Sequence, residues 1–187
     1  MENSAKGKRC CFIGHRTLEV TDELISRLKQ EIEILILSGV THFLFGTRSE
    51  FNSLCHKIVS DLKQSYPQIV RIAYTTFHEC VVLQNEVEKY ERMMTRFWKR
   101  DVHLEGYEEE ITSEALRKSG RATYVERNQT MIDDSDFCIF YYDENYRPQR
   151  RELSHKYLNK VLSSAQSGTA LAFRYALSKN KRIINVF

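Results

Sequence analysis

The chain has 187 residues, 42% apolar and 28% charged, enough to bury one full hydrophobic core and short for two. No apolar run approaches the roughly 18 to 20 residues of a membrane span. Ten Tyr and ten Phe against two Pro and seven Gly exclude disordered and collagen-like chains. The four apolar residues Cys10 to Ile13 that follow the polar N-terminus are too few for a signal-peptide core, so a single cytoplasmic domain spanning 1–187 is expected. A formal charge of +3 from 28 basic and 25 acidic residues is a mild bias, which argues against nucleic acid as a partner. Cys10, Cys11, Cys55, Cys80 and Cys138 form no C-x-x-C pair and read as reduced core residues. The six histidines are scattered, so no metal site is expected.

In chain order, Arg9 to Ile13 reads as a buried strand that stops at Gly14-His15-Arg16. Thr21-Asp22-Glu23 supplies a helix cap and an acidic first turn, and Leu24, Leu28, Ile32, Leu35 and Ile36 recur at helical spacing up to Ser38-Gly39. A second strand, Thr41 to Phe45, is followed by Gly46-Thr47-Arg48-Ser49. The next helix carries Phe51, Leu54, Cys55, Ile58, Val59 and Leu62 on one face. Ile69 to Tyr74 makes a third, β-branched strand.

From about 77 to 120 the pattern loosens into an elaboration, with a helix expected around Glu86 to Trp98 and an acidic patch at Glu105 to Glu110. A helix from about Tyr124 to Asp134 then leads into the most apolar strand, Asp136 to Tyr142. Residues 143–166 form a second, polar elaboration in which Arg147, Arg150 and Arg151 suggest a solvated loop or a lid over an anion. Ser167-Gly168-Thr169, a helix through Ser178 and a strand from Arg182 to Val186 end the chain.

Five apolar strands alternating with helices imply an α/β, Rossmann-like, doubly wound and mainly parallel sheet with helices on both faces. Ligands bind such sheets beyond the carboxyl ends of the strands. Gly14, His15 and Arg16 after the first strand, Gly46 to Ser49 after the second, and Tyr142 onward after the fourth are therefore the loops to inspect. Gly46-Thr47-Arg48-Ser49 and Ser167-Gly168-Thr169 each stand at a helix start, where glycine admits close approach and free amides attract anions; plain helix capping is the alternative. Arg16, Arg48 and Arg127 in the same layer favour a phosphate or diphosphate. Asn128 suits a ribose or amide, and one of Tyr141 and Tyr142 faces the site, with Tyr142 placed to stack on a base. Neither G-x-x-x-x-G-K-[ST] nor G-x-G-x-x-G occurs, so a P-loop kinase and a conventional NAD dehydrogenase are unsupported. No G-x-S-x-G elbow occurs either, and Cys55 and His56 point apart on a helix.

Cys11-Phe-Ile-Gly-His-Arg16, Phe45-Gly-Thr-Arg-Ser-Glu-Phe-Asn52, Arg127-Asn-x-x-Met131-Ile-x-x-Ser135-Asp136, and Ser167-Gly-Thr169 with Tyr175-Ala176 together resemble the YpsA-like branch of the SLOG superfamily, which is related to the LOG phosphoribohydrolases and to DprA/Smf. The resemblance covers most of residues 9 to 187. It implies a Rossmann-like fold that binds nucleotides or nucleotide-derived ligands, including ADP-ribose-type signals in some defence-associated relatives.

The LOG-type pattern of Glu-Arg-Lys-x-x-Met is similar at Glu126-Arg127-Asn128 and Met131, which would give Arg127 a phosphate or ribose role. The second LOG block departs: Ala170, Leu171, Ala172 and Phe173 follow Gly168-Thr169, so the expected catalytic acid is absent. A ribosyl hydrolase needs a carboxylate beside the anomeric carbon, and Glu126, Glu50 and Asp143 are the candidates to supply it. The favoured expectation is a sensor or sequestering protein for an ADP-ribose-like or other phosphorylated nucleoside, with links to phage defence or counter-defence signalling suggested by relatives. The alternatives are a nucleotide N-glycosidase and a protein-interaction module built on the acidic patch. No cofactor and no membrane are expected, and a homo-oligomer is compatible with the fold.

Overall fold

The computed structural model describes residues 7–47, 49–76, 80–83, 101–112, 121–146 and 167–187. The expected helix at Glu86 to Trp98, Arg48, and the lid arginines Arg147, Arg150 and Arg151 lie outside them.

The chain runs β1 (Lys8–Gly14), α1 (Asp22–Leu37), β2 (Val40–Gly46), α2 (Glu50–Lys63), β3 (Val70–Thr75), β4 (Cys80–Leu83), β5 (Asp101–Tyr107), β6 (Glu109–Thr112), α3 (Arg121–Asp133), β7 (Phe137–Tyr141), α4 (Gly168–Ser178) and β8 (Arg182–Asn185). The main sheet has the order β6-β3-β2-β1-β7-β8, and every pair in it is parallel. The expectation of five strands is thus corrected to six. The extra strand, β6, comes from the acidic patch that reads as a surface elaboration. β4 and β5 pair as a separate two-stranded sheet.

The acidic patch forms an edge strand because its charges are answered from the neighbouring strand and helix. The Arg71 backbone N–H donates to Glu108 Oε2 at 2.7 Å and its Nη2 to Oε1 at 2.6 Å, while Nη1 reaches Ser60 Oγ at 2.7 Å. Lys63 lies 3.3 Å from the same carboxylate. Burial pushes the Glu108 carboxyl up, but the hydrogen bonds and charge of Arg71, with Lys63 behind, outweigh it and hold it below its usual value. Further along the same strand pair, Thr75 Oγ1 donates to Glu110 Oε1 at 2.7 Å.

Each face of the sheet carries one apolar layer. α1 and α2 cover Phe12, Phe43 and Phe45 with Leu28, Ile32, Cys55 and Val59. α3 and α4 cover Cys11, Ile13, Leu44 and Phe140 with Met131, Ile132, Ala172 and Ala176. The helices begin where capping residues stand: Thr21, Ser49 and Ser167 each accept from a backbone amide of the first turn. Cys10, Cys11, Cys55 and Cys138 are buried free thiols. His56 lies in the first layer against Phe45 and Tyr107, and burial, with the Arg71 charge, pushes it down to about 4, so it stays neutral among apolar neighbours.

From β1 the chain winds outward through β2 and β3, then returns to place β7 on the other side of β1. The strand order therefore reverses between β1 and β7, and this is where an open parallel sheet leaves a crevice at the carboxyl ends of its strands.

Candidate functional site

Three segments meet above the β1/β7 reversal: the loop after β1, the β2–α2 corner, and the loop after β7. Their geometry is set by short-range chemistry. Gly14 ends β1 opposite Tyr141, and a Cβ there would stand 2.4 Å from the Phe51 ring, so this glycine admits the first turn of α2. Gly46 ends β2, and a Cβ there would stand 2.6 Å from Arg127 Nη2. The absent side chain lets the guanidinium lie across the strand end.

Arg127 reaches that point from α3. Thr123, Arg127 and Met131 are buried at 3%, 6% and 0% exposure, a stripe with i, i+4, i+8 spacing that is polar toward the helix start and apolar toward its end. Because α3 runs opposite to the strand that follows it, the polar end lies at the carboxyl side of the sheet. Arg127 Nη1 donates to Thr47 Oγ1 at 2.9 Å and Nη2 to Asn128 Oδ1 at 3.2 Å. The guanidinium also stands 5.2 Å from the centre of the Tyr124 ring. Thr47 and Asn128 thus serve as braces for Arg127.

At the corner itself, Asn52 Oδ1 accepts from Gly46 N at 3.0 Å, and Asn52 N and Nδ2 both donate to Ser49 Oγ. Glu50 ties this corner to the first loop: its N–H donates to Arg16 O at 2.9 Å and its Oε2 accepts from Leu18 N at 3.1 Å. Arg16 is exposed. The catalytic candidate Glu50 is therefore engaged in holding two loops together.

Across the reversal, His15 is 2% exposed. Its N–H reaches Tyr141 O at 3.4 Å, and its Nε2 accepts from Asp143 N at 3.0 Å. The Asp143 side chain turns to its own loop and accepts from Asn145 N at 2.8 Å. Tyr146 stacks on the imidazole with ring centres 3.8 Å apart. Burial holds His15 below its usual pKa, outweighing the opposing pull of Asp143 through its backbone and carboxylate.

Tyr141 and Tyr142 diverge as strand alternation requires. Tyr141 stacks near Phe51, and Tyr142 stacks on Phe173 at 4.5 Å. Asn185 fastens Tyr142 by a two-way bond, accepting from its N and donating to its O, both at 3.0 Å.

At the start of α4, Ser167 Oγ accepts from Ala170 N at 3.0 Å, and Thr169 is buried. A Cβ on Gly168 would meet nothing within 4 Å, so this position is open. Glu126 is half-buried on α3, one residue before Arg127. The structure brings Gly46, Thr47, Arg127 and Asn128 together, and separately joins His15 to Asp143.

Four contributors are missed by sequence reasoning: Asn52, Thr123, Tyr146 and Asn185. Thr123 has a readable signal in its i, i+4 relation to Arg127, and Asn52 in its position three residues after the Ser49 cap. Tyr146 and Asn185 act through long-range contacts and have none.

A family model described as the YspA SLOG family matches residues 15–174. No curated protein matches the sequence. Among solved structures, the chain is similar to DNA processing protein A from Helicobacter pylori, described for its single-stranded DNA binding mode. The identity is 11% and the TM-score 0.46, over 95% of this chain and 64% of that one, so this chain spans less than two thirds of that protein's length. The expectation that nucleic acid is not a partner is corrected here. That expectation rests on net charge alone, and a total of +3 says little about the local charge a strand would meet. With the match running from the His15 loop into α4, the chain belongs to the YspA SLOG family.

Proposed function

We propose that the chain binds a nucleotide-derived small molecule, an ADP-ribose-like compound or another phosphorylated nucleoside, in the crevice above the β1/β7 reversal, and that it acts as a sensor or sequestering protein. The observation that carries this reading is the placement of Arg127. A buried guanidinium is braced by Thr47 over a strand end whose glycine leaves room for it, at the edge where parallel sheets take their ligands. Arg is suited to phosphate because its planar donors meet two oxygens at once. Family membership agrees with nucleotide-related binding.

In this reading Arg127 and the Gly46–Thr47 backbone contact phosphate. Gly14, His15, Arg16 and Asn128 serve the sugar, and Tyr142 flanks the base. Ser49 supports the corner, and Ser167, Gly168 and Thr169 present the start of α4; Arg48, outside the described residues, would add positive charge. Binding without turnover is favoured because Glu50 and Asp143 already hold loop amides.

The test is titration and native mass spectrometry of the purified chain with ADP-ribose, NAD, cyclic ADP-ribose and AMP. Retention of an intact nucleotide by wild type, and its loss in a folded Arg127→Ala variant, is the expected result. Release of free base with ribose phosphate would make the protein an N-glycosidase instead. Equal retention by Arg127→Ala would remove the site from this crevice.

A further inference from the structure

His15 occupies the reversal between β1 and β7, and its hydrogen bonding is half complete. Asp143 N donates to Nε2 at 3.0 Å. A ring nitrogen that accepts carries no proton, so the neutral imidazole bears its hydrogen on Nδ1. Nδ1 is buried and has no hydrogen-bond partner among the described residues. Buried polar groups in folded proteins are nearly always paired, and each exception calls for a reason.

The surroundings supply none from within. Among the described residues, beyond Asp143 the imidazole is faced by rings: Tyr146 at 3.8 Å, Tyr142 at 6.1 Å and Tyr141 at 6.3 Å between centres. The Tyr146 hydroxyl is directed to Thr17 Oγ1, 3.5 Å away. A leucine or phenylalanine would fill this place without burying an Nδ1–H, at the cost of the acceptor that the half-buried Asp143 N–H now has.

We propose that His15 Nδ1–H is a specificity donor held for an oxygen acceptor in the sugar-phosphate part of the bound nucleotide. This rests on the nucleotide reading given above and deepens it. The Asp143 amide fixes the tautomer, so the position donates and does not accept. It therefore selects ligands that present an oxygen there and rejects those that present an N–H. The stacked Tyr146 ring is the group that the ligand displaces to reach it.

The experiment uses the full chain with ADP-ribose, AMP and adenosine as probes. In the free ¹⁵N-labelled protein, imidazole nitrogen spectra should show His15 protonated on Nδ1, and saturation with ADP-ribose should shift that resonance. His15→Asn places an amide nitrogen where Nδ1 stands and should bind within about threefold of wild type. His15→Leu should weaken binding roughly 10- to 100-fold, the worth of a hydrogen bond to a charged or buried acceptor. AMP shifting Nδ1 where adenosine does not assigns the acceptor to phosphate, and both shifting it assigns the ribose.

A free protein protonated on Nε2, an unmoved Nδ1 resonance at saturation, or wild-type affinity in His15→Leu would each overturn the proposal. If His15→Leu does not fold, the wild-type spectra and His15→Asn decide. If wild type binds none of the probes, the nucleotide reading and this inference fall together. If it binds them and His15 stays silent, only the inference falls.

Discussion

At the scale of single residues, the two strand-ending glycines separate packing from binding. At Gly46 the atom in the way of a Cβ is the far end of a flexible side chain, Arg127 Nη2 at 2.6 Å; at Gly14 it is the root of the Phe51 ring at 2.4 Å. A guanidinium can swing aside at modest cost to the fold, whereas a 0%-exposed phenylalanine has nowhere to go. Gly46→Ala is therefore expected to cost about 1 kcal/mol, because the displaced Arg127 gives up its bond to Thr47, and to bind its nucleotide about tenfold more weakly for the same reason. Gly14→Ala is expected to lose roughly 1–3 kcal/mol of stability, as overpacked cores do. Denaturant unfolding and ligand titration of both variants check this together. A Gly46→Ala protein that unfolds as readily as Gly14→Ala, or that binds as wild type does, would contradict the assignment.

At the scale of elements, the sequence makes visible what is buried on both sides and hides what is held by long-range polar pairing. β1, β2, β3 and β7 stand out as apolar runs because parallel strands under helices are covered on two faces, while the half-buried edge strand β8 shows only through Ile183-Ile184. The stripe Leu24 to Ile36 shows α1 because one face of the helix is buried at helical spacing. β6 does not stand out: Glu109-Glu110-Ile111-Thr112 looks like solvent-facing chain until Arg71 and Thr75, more than thirty residues earlier, come alongside. The acidic segment is tied to the sheet by one carboxylate, Glu108 just before β6, paired with both Arg71 of β3 and Lys63 of α2.

Removing the charge from Glu108 leaves Arg71, 6% exposed, without its partner carboxylate, and side-chain exposure of 24% at Glu108 moderates the loss. Glu108→Gln should cost about 1–3 kcal/mol, with amide exchange in β6 speeding up more than in β1 or β2. The pH dependence has a definite sign. A carboxyl held below its usual value in the folded state contributes fully above the unfolded value and loses its contribution as pH falls through the folded one. Wild type should thus lose stability below about pH 4.5, and Glu108→Gln should lose less over the same range. Parallel pH–stability curves, or exchange unchanged in β6, would show that the edge strand is held by something else.

At the scale of the molecule, the candidate site is a joint between elements that are far apart in the chain. Its glycine corners and Arg127 are legible as loop motifs. The His15–Asp143 link and the Tyr146 cover are not, because they depend on β1 and β7 becoming neighbours. The ligand in this reading touches the ends of β1, β2 and β7 and the face of α3, so its binding couples the two helical layers through the sheet. Anything bound by the folded state and not by the unfolded chain stabilises the fold by mass action, by about 2.7 kcal/mol at a hundredfold excess over Kd. At roughly 2–4 °C per kcal/mol for a chain of this size, saturating ADP-ribose or AMP should raise Tm by about 5–10 °C. The rise should shrink as Arg127→Ala weakens binding. A single-stranded oligonucleotide in the same assay tests the corrected partner expectation directly. A shift that falls steeply with salt, in proportion to the phosphates engaged, would mark a backbone-tracking groove, and a shift with mononucleotides alone would mark a closed small-molecule crevice. No shift with any of them would place the function away from the β1/β7 reversal, since no ligand can grip that many strand ends without resisting their separation.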